Sequence, residues 1–236
     1  MLVTDFNIKH IAVKIIMPIA QVFDVALKHP VRERNRRALQ KSVDYIEAAM
    51  PQAMGLETQK ELLAFSLNAV AVPGYYLEFG VYRGGTMRYM AKRKPDKEFH
   101  GFDSFEGLPE DWLGHYLSKH TFSLQGRLPK VPASVRLHKG WFNQTLPKWR
   151  EKYPGKIAFI HIDCDLYSST VDILENLVGQ MQPGTVIQFD EYFNYPNWEN
   201  HEFKAWQEFV AKYGIGYEYI GFARQQVTLR ITRMAS

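Results

Sequence analysis

The chain has 236 residues, of which 46% are hydrophobic, so it is long enough for one large domain with a full core. Its 29 Lys and Arg residues against 25 Asp and Glu residues leave a net charge of only +4, which argues against a nucleic-acid partner. A single cysteine, Cys164, excludes a disulfide within the chain and a zinc site built from several cysteines, and it favours a reducing, cytoplasmic compartment.

The apolar N-terminal stretch does not predict a membrane span. Lys14, Pro18 and Asp24 interrupt it well before the ~20 consecutive apolar residues that spanning requires. We predict an N-terminal helical extension over residues 1–55, packed on the rest of the chain or on another subunit. Its surface is too apolar for a solvated appendage, so we expect a homo-oligomer, and the apolar positions are Ile11, Ile15, Ile16, Ile19, Val22 and Phe23.

Helix and strand patterns alternate along the rest of the chain. The predicted helices lie at 32–50, 58–70, 86–93, 168–181 and 201–214. The predicted strands lie at 75–80, 98–103, 134–140, 156–163, 184–190, 216–222 and 225–233. This alternation predicts an α/β fold with a doubly wound, mainly parallel sheet over residues 56–236. Little more than a turn separates the last two strands, so one of them is expected to run antiparallel.

Two helix starts carry sequence signals. Thr58 and Glu61 have the spacing of a capping box ahead of an apolar helix. The helix predicted at 168–181 has Ser168 or Ser169 as its expected cap.

Acidic residues lie at the ends of four predicted strands, and they are Glu78, Asp103, Asp163 and Asp190. The carboxyl ends of parallel strands meet at one edge of a sheet, where ligands bind. Any one of these residues alone could be a helix cap or a solvated carboxylate. Four acids at the same edge indicate a common site.

The sequence HIDCDLYSST places Asp163 and Asp165 one residue apart after a buried strand. Two carboxylates this close repel each other, so the arrangement requires a cation, a proton or a substrate.

The loop after the strand at 75–80, EFGVYRGGTMRYM, is glycine-rich but is neither a P-loop nor a dinucleotide-binding loop. Its glycines allow close backbone approach, and the helix start behind it offers free amides to a small anion such as an amino-acid carboxylate. Glu78 can attract the matching ammonium group, and Asp103 can accept hydrogen bonds from both hydroxyls of a ribose. Phe105 would lie near an adenine. Amino acid, ribose and adenine together indicate S-adenosylmethionine.

Five motifs occur in the order found in one family, and they are LEFGVYRGGT, HGFDSFEGLPE, KGWFNQTLP, HIDCDLYSST and FDEYFNY. From about Leu77 to Ala205 the chain therefore resembles the metal-dependent sugar O-methyltransferases of the macrocin and mycinose type, which act on antibiotic deoxysugars. The resemblance implies a Rossmann-like fold of the class I methyltransferase type. It also implies an S-adenosylmethionine-dependent enzyme that methylates a hydroxyl of a sugar or glycosylated natural product, with the N-terminal region contributing to the substrate pocket and the oligomer.

The resemblance also implies roles for individual residues. Those implied around the cofactor are Glu78, Gly80, Tyr82, Gly84, Thr86, Asp103, Ser104, Phe105, Gly140, Trp141, Phe142 and Asp163. The implied metal ligands are Asp163, Asp190 and Glu191, and the implied general base is Asp165. The family often has Asp at the position of Glu191, so this chain departs from the pattern there by one methylene.

These residue types suit the implied reaction. A sugar hydroxyl has a pKa far above neutrality, so its attack on a sulfonium methyl needs proton removal and stabilisation of the developing alkoxide. Carboxylate ligands without a histidine favour a hard ion, most simply Mg²⁺. We interpret His161 as a core histidine rather than a ligand, Cys164 as a small buried residue, and the aromatic loops at 111–122 and 192–198 as a substrate lid.

Other functions stay open at this point. Many glycosyltransferases hold a metal and a nucleotide-sugar diphosphate with an Asp-x-Asp pair, but that interpretation has no use for the glycine loop or for the acids at 190 and 191. A non-catalytic binding protein on a methyltransferase fold is a third possibility. A catechol-like acceptor with adjacent hydroxyls would suit the same metal as well as a sugar does.

Overall fold

The computed structural model describes residues 29–112 and 117–234 of the chain. The α-helices of this part are Pro30–Ala49 (α1), Gln59–Ala69 (α2), Gly85–Arg93 (α3), Phe142–Lys152 (α4), Tyr167–Leu177 (α5) and Glu202–Tyr213 (α6). Its strands are Met54–Gly55 (β1), Tyr75–Phe79 (β2), Phe99–Asp103 (β3), Val135–Lys139 (β4), Ile157–Ile162 (β5), Val186–Phe189 (β6), Gly216–Phe222 (β7) and Val227–Arg233 (β8). The apolar positions from Ile11 to Phe23, on which the expectation of an oligomer rests, lie outside the described residues.

The strands form one eight-stranded sheet in the order β1-β7-β8-β6-β5-β2-β3-β4. The pairs from β6 through β5, β2 and β3 to β4 are all parallel, and β8 is antiparallel to both β6 and β7. The predicted Rossmann-like, mainly parallel sheet with one antiparallel strand near its end is therefore confirmed. The short edge strand β1, which pairs with β7, is not predicted by the sequence.

Helices cover both faces of this sheet. One face packs against α4, α5 and α6 through Trp149, Ile173 and Trp206, all of them buried. The other face packs against α2 and α3 through Leu63 and Met87. Because both faces are covered, a central strand such as β5 is buried along its whole length, and its sequence is a continuous apolar run rather than an alternating one.

Helix α1 packs on the sheet through its C-terminal half, so part of the predicted N-terminal extension rests on the domain itself. The hydroxyls of Tyr45 and Tyr219 are hydrogen-bonded at 2.7 Å, and the backbone amide of Asn194 donates to Ser42 Oγ at 2.9 Å. The N-terminal part of α1 carries the basic run RERNRR at 32–37, which faces solvent. Within residues 29–112 and 117–234, no helix is both long and apolar enough to cross a membrane.

The sequence predicted the start of α2 correctly but gave no signal for α4. The capping box of α2 is confirmed, because Thr58 Oγ1 accepts from the amide of Glu61 and the Glu61 carboxylate accepts from the amide of Thr58. Helix α4 is not predicted by the sequence. Its N-cap residue, Trp141, has no capping side chain, and Pro147 lies inside the helix.

The predicted serine cap of α5 is wrong. The helix begins at Tyr167, its N-cap residue is Leu166, and no side chain caps it. The cause is the left-handed conformation of Asp165, whose φ is 68°, because it turns the chain into the helix directly after the acidic pair. Ser168 and Ser169 consequently lie inside the first turn.

Backbone hydrogen bonds continue the sheet one residue past the strand ends. The amide of Asp163 donates to the carbonyl of Phe79, and the amide of Asp190 donates to the carbonyl of Ile162, both at 2.9 Å. The first residue of each acidic loop is thereby fixed against the neighbouring strand. The carboxyl edge of β2, β5 and β6 is the rigid base of the candidate site.

Candidate active site

A cavity of about 700 Å³ opens at the carboxyl edge of the sheet. Its wall comes from the loops after five strands, β2 to β6. The residues expected from the sequence that line it are Gly80, Tyr82, Thr86, Asp103, Ser104, Gly140, Trp141, Phe142, Asp163, Asp165 and Glu191. Trp112, from the loop predicted as a lid, lines it too, and lining residues that the sequence did not indicate include Val81, Arg83, Leu108, Asn143, Gln144, Ser169 and Asp172.

The glycine loop after β2 brings the backbone against the acidic loop after β5. Gly80 has a φ of 92°, a conformation that favours glycine, and a Cβ atom built on it would lie 1.6 Å from the carbonyl oxygen of Asp163. Gly84, with a φ of 72°, is the N-cap residue of α3. The two glycines therefore let the backbone of this loop pass close to the acidic loop and turn into α3.

Asp103 is held in one orientation by the backbone. Its Oδ2 accepts from the amide of Tyr82 at 2.7 Å and its Oδ1 accepts from the amide of Phe105 at 2.6 Å. Burial raises the pKa of Asp103, and these hydrogen bonds oppose the shift. Each carboxylate oxygen retains a second lone pair, so the side chain can still accept from two adjacent hydroxyls in the cavity.

Four residues expected at the site do not line the cavity, and they are Glu78, Gly84, Phe105 and Asp190. Phe105 is 1% exposed and packs in the core cluster that contains Met87, because its left-handed backbone, with a φ of 58°, turns the ring inward. Gly84 caps α3 beside the wall. Glu78 and Asp190 lie behind it.

Glu78, His161 and Asp190 form a buried row behind the cavity across β2, β5 and the end of β6. Glu78 Oε1 is 3.1 Å from His161 Nδ1, and His161 Nε2 is 3.6 Å from Asp190 Oδ1. Burial lowers the pKa of His161, but its interactions with Asp190 and Glu78 outweigh this and raise the pKa well above its usual value. His161 is thus a buried histidine between two acids, and the interpretation that it is not a ligand stays a prediction.

Two groups of potential ligand atoms form at the end of β5. Oxygens of Asp163, Asp165 and Glu191 lie within 4.8 Å of one another, and so do atoms of His161, Asp163 and Asp190. Asp163 belongs to both groups, whereas Asp190 and Glu191 fall into different ones. The ligand set Asp163, Asp190 and Glu191 stays a prediction, and the geometry adds Asp165 to the carboxylates around one point.

The carboxylates of this cluster are buried or half-buried and lie close together, and both properties displace their pKa values. Burial, followed by the charge of Asp190, raises the pKa of Asp163 and that of Glu191 well above the usual range. Burial raises the pKa of Asp165 to about 7. Burial acts in the same direction on Asp190, but His161 and Gln59 outweigh it and lower the pKa.

The donor set at the end of β5 fits a hard divalent cation. Glu191 Oε2 is buried without a hydrogen-bond partner among the described residues. Nor does any lysine or arginine of residues 29–112 and 117–234 form an ion pair with Asp163, Asp165 or Glu191. His161 gives Asp163 one neighbouring positive charge, but three carboxylates around one point still repel one another, and a cation with oxygen ligands would remove that cost.

The two loops expected to form a lid contact each other. The rings of Trp112 and Tyr195 meet edge to face with centroids 5.9 Å apart, and Trp112 lines the cavity. Ser168 Oγ donates to Glu110 Oε1 at 2.7 Å, which connects the residue before the first loop to α5. Residues 113–116 of that loop lie outside the described part. The lid function stays a prediction.

Glu202 and Gln59 are two neighbours of the acidic cluster that the sequence did not reveal. Glu202 is fully buried at the start of α6, and its Oε2 accepts from the amide of Glu191 at 3.1 Å. Gln59 Nε2 donates to Asp190 Oδ1 at 2.5 Å. An acid in the first turn of a helix is common, so the sequence HEFK carries no signal of such a contact.

Comparison with protein families gives one match over most of the chain. The model described as macrocin-O-methyltransferase (TylF) matches residues 9–221. A tetracenomycin-C rhamnosyl 4'-O-methyltransferase of Streptomyces olivaceus is 36% identical to this chain, and the match covers 52% of the chain and 55% of that relative. The chain therefore spans about half the length of this relative. The demethyldecarbamoylnovobiocin O-methyltransferase of Streptomyces niveus is 30% identical, with 69% of the chain and 68% of the relative covered.

Two solved structures share the architecture. The O-methyltransferase NovP superposes with a TM-score of 0.58 at 27% identity, covering 74% of this chain and 80% of that one. The calicheamicin methyltransferase CalS11 superposes with a TM-score of 0.59 at 19% identity, covering 89% of this chain and 90% of that one. At this identity the second likeness concerns the fold alone.

Proposed function

Because the chain belongs to the macrocin O-methyltransferase family, we propose that it transfers a methyl group from S-adenosylmethionine to a sugar hydroxyl, with Mg²⁺ as a second cofactor. One observation carries the proposal. One cavity is lined both by the glycine loop and Asp103, which we call its cofactor end, and by Asp163, Asp165 and Glu191, which we call its acidic end. The proposed nucleoside site and the proposed cation site thus face the same space.

The cofactor end would hold the methyl donor through the chain's own fixed groups. Asp103, oriented by two backbone amides, would accept hydrogen bonds from the ribose hydroxyls. The glycine loop and the start of α3 would offer backbone amides to the amino-acid carboxylate. Trp141 and Phe142 would flank the base from the loop after β4.

The acidic end would hold the cation and the reacting hydroxyl. Asp163 and Glu191, with Asp190 behind them, would hold the ion, which when bound supplies positive charge that stabilises a developing alkoxide. Asp165 lines the same end and would accept the proton of the hydroxyl. Trp112 would exclude water and help to hold the acceptor in line with the methyl group.

The proposed class of methyl acceptor is inferred from the names of the related enzymes. Two of them are named for methylation of a rhamnosyl tetracenomycin and of a novobiocin precursor, so a sugar of a glycosylated natural product is the acceptor that we propose. We also propose that the protein forms a homo-oligomer and is located in the cytoplasm. An Asp-x-Asp glycosyltransferase would leave Asp103 and the glycine loop without a role.

The proposed function is tested by ligand binding and by methyl transfer. Calorimetric titration with S-adenosylhomocysteine, with NAD as comparison, tests the nucleoside end. Transfer of a labelled methyl group to a panel of rhamnosides, other glycosides and catechols, with magnesium or with EDTA, tests the reaction and the acceptor. Binding of NAD without binding of S-adenosylhomocysteine would refute the assignment, and binding of S-adenosylhomocysteine without transfer to any acceptor would favour the non-catalytic alternative.

A further inference from the structure

Glu202 connects the two acidic loops from behind the cavity. It is the first residue of α6, and its side chain is fully buried. Its Oε2 accepts from the backbone amide of Glu191 at 3.1 Å. The backbone amide of Cys164 lies near the same carboxylate and interacts with it more weakly. One side chain therefore contacts the backbone of both loops.

The positions of these two amides are informative. Cys164 lies between Asp163 and Asp165, and Glu191 follows Asp190, so each amide belongs to the peptide backbone that carries the proposed cation ligands. The sheet aligns the loops only up to the hydrogen bond from the amide of Asp190 to the carbonyl of Ile162. Beyond that bond, the Glu202 carboxylate contacts the next residue of each loop, which is Cys164 in one loop and Glu191 in the other.

A helix-capping role does not account for this arrangement. Acids in the first turn of a helix are usually stabilised at the surface by the helix dipole. Glu202 is instead completely buried, and its Oε1 has no hydrogen-bond partner among the described residues. Burying a carboxylate with an unpaired oxygen costs free energy. A glutamate that only stabilised the helix N-terminus would do so at the surface without that cost.

Glu202 also does not take part in the chemistry directly, because it is not among the residues that line the cavity. Its influence has to pass through the backbone of the two acidic loops. Residues that orient metal ligands in this indirect way typically change metal affinity or activity when they are replaced.

We infer that Glu202 is a positioning residue that sets the distance between the Asp163–Asp165 loop and the Asp190–Glu191 loop, and thereby the affinity of the site for a divalent cation. This inference rests on the proposed function, since it presupposes that these loops hold a cation. The relevant property of Glu202 is its length, which lets one carboxylate reach both amides.

The test compares variants that separate the length of the side chain from its carboxyl group. Glu202→Gln keeps the length and one acceptor oxygen but has no carboxyl group, Glu202→Asp keeps the carboxyl group but is one methylene shorter, and Glu202→Ala removes both. Glu208→Gln is the matched control, because Glu208 lies on the same helix and is exposed, with its carboxylate on Tyr167. For each variant, Mn²⁺ affinity is measured by electron paramagnetic resonance, S-adenosylhomocysteine affinity by calorimetry, and Tm by scanning fluorimetry.

We expect Glu202→Ala and Glu202→Asp to weaken Mn²⁺ binding by about 10–100-fold, while S-adenosylhomocysteine affinity stays close to that of the wild type. Glu202→Gln should retain more of the Mn²⁺ affinity than Glu202→Asp does, and Glu208→Gln should match the wild type.

Three results would overturn the inference in distinguishable ways. If Glu202→Asp binds Mn²⁺ like the wild type, or better than Glu202→Gln, length is not the relevant property. If only Tm falls and Mn²⁺ affinity is unchanged, the residue is merely structural. If the wild type binds S-adenosylhomocysteine but no Mn²⁺, the proposed cation itself is wrong, and the inference falls with it. If Glu202→Ala does not fold, the comparison of Glu202→Gln with Glu202→Asp still tests whether the length of the side chain is the relevant property.

Discussion

Gly80 and Asp163 touch backbone to backbone, so the loop expected to receive the cofactor and the loop expected to hold the cation share one contact. A Cβ atom on residue 80 would lie 1.6 Å from the Asp163 carbonyl oxygen, and the φ of Gly80 is 92°. Any side chain at residue 80 would therefore displace one of the two loops. The absence of a side chain at residue 80 is therefore required by the packing of two loops rather than by the ligand alone.

The first prediction follows from this contact. Gly80→Ala should lower the free energy of unfolding by about 2–4 kcal/mol, because it adds a steric clash with backbone to a strained φ. Urea unfolding followed by circular dichroism measures the change. Gly179→Ala is the control, since an added Cβ there meets nothing within 4 Å, and it should be close to neutral. Equal stability of the two variants would show that the Gly80 loop relaxes freely.

The second prediction concerns the ribose. Asp103→Ala should weaken binding of S-adenosylhomocysteine roughly tenfold to a hundredfold, because it removes charged hydrogen bonds worth about 1.5–3 kcal/mol. Its effect on Mn²⁺ affinity should be small, since Asp103 belongs to neither group of potential ligand atoms at the end of β5. Calorimetry with each ligand separates the two effects. Asp96→Asn is the control, because Asp96 is an exposed residue that precedes β3, at the opposite edge of the sheet. Unchanged nucleoside affinity in Asp103→Ala would remove Asp103 from the site.

The fold and the edge that carries the site could be predicted because they depend on chain order. Alternating strands and helices can hardly form anything but a parallel sheet, and a parallel sheet brings Asp103, Asp163 and Asp190 to one edge. What a side chain does beyond the strand end depends on single backbone angles. The left-handed φ of Phe105 sends an expected adenine contact into the core, and that of Asp165 shifts the start of α5.

Contacts between residues far apart in the sequence could not be predicted either. Nothing near Glu202 in the sequence indicates that its carboxylate meets the amide of Glu191, 11 residues away, because the contact depends on how α6 docks on the sheet. The same holds for Gln59 and Asp190, which are 131 residues apart. Local patterns specify which residue types are present, whereas the packing of helices on the sheet decides which of them meet.

The third prediction is a pH dependence of stability that originates away from the candidate site. His100 Nδ1 and His138 Nε2 are 3.0 Å apart at the outer strands β3 and β4. Burial lowers the pKa of both histidines to about 4, assisted for His100 by the charge of His138 and for His138 by that of Lys152, against the opposing charge of Glu98.

The sign of this dependence follows from proton uptake. Between pH 6.5 and 4 the unfolded chain binds protons at both histidines and the folded chain does not, so their contribution to stability is complete above pH 6.5 and falls as the pH approaches 4. Urea unfolding at pH 7.5, 6.5 and 5.5 should show a shallower decline in His138→Gln than in the wild type. The exposed His29→Gln should follow the wild type. Parallel pH profiles for His138→Gln and the wild type would contradict the prediction.

The fourth prediction distinguishes the two aspartates of HIDCD. Asp163→Asn should weaken Mn²⁺ binding and methyl transfer together, because Asp163 contributes to both groups of potential ligand atoms. Asp165→Asn should cut turnover by about 10²–10⁴ if Asp165 accepts the proton, with S-adenosylhomocysteine affinity unchanged. The assay is transfer of a labelled methyl group to an accepted sugar across a magnesium titration, with EDTA on the wild type as control.

The magnesium titration decides between the roles, because the carboxylates of Asp163, Asp165 and Glu191 surround one point. A lost ligand weakens the affinity for the ion, so its effect on rate diminishes as magnesium is raised. A lost proton acceptor leaves the rate low at saturating magnesium. Rescue of Asp165→Asn by excess magnesium would therefore make Asp165 a ligand, as its place beside Asp163 and Glu191 permits. Full activity of the wild type in EDTA would instead mean that these buried carboxylates balance their charge with protons, and that the reaction needs no cation.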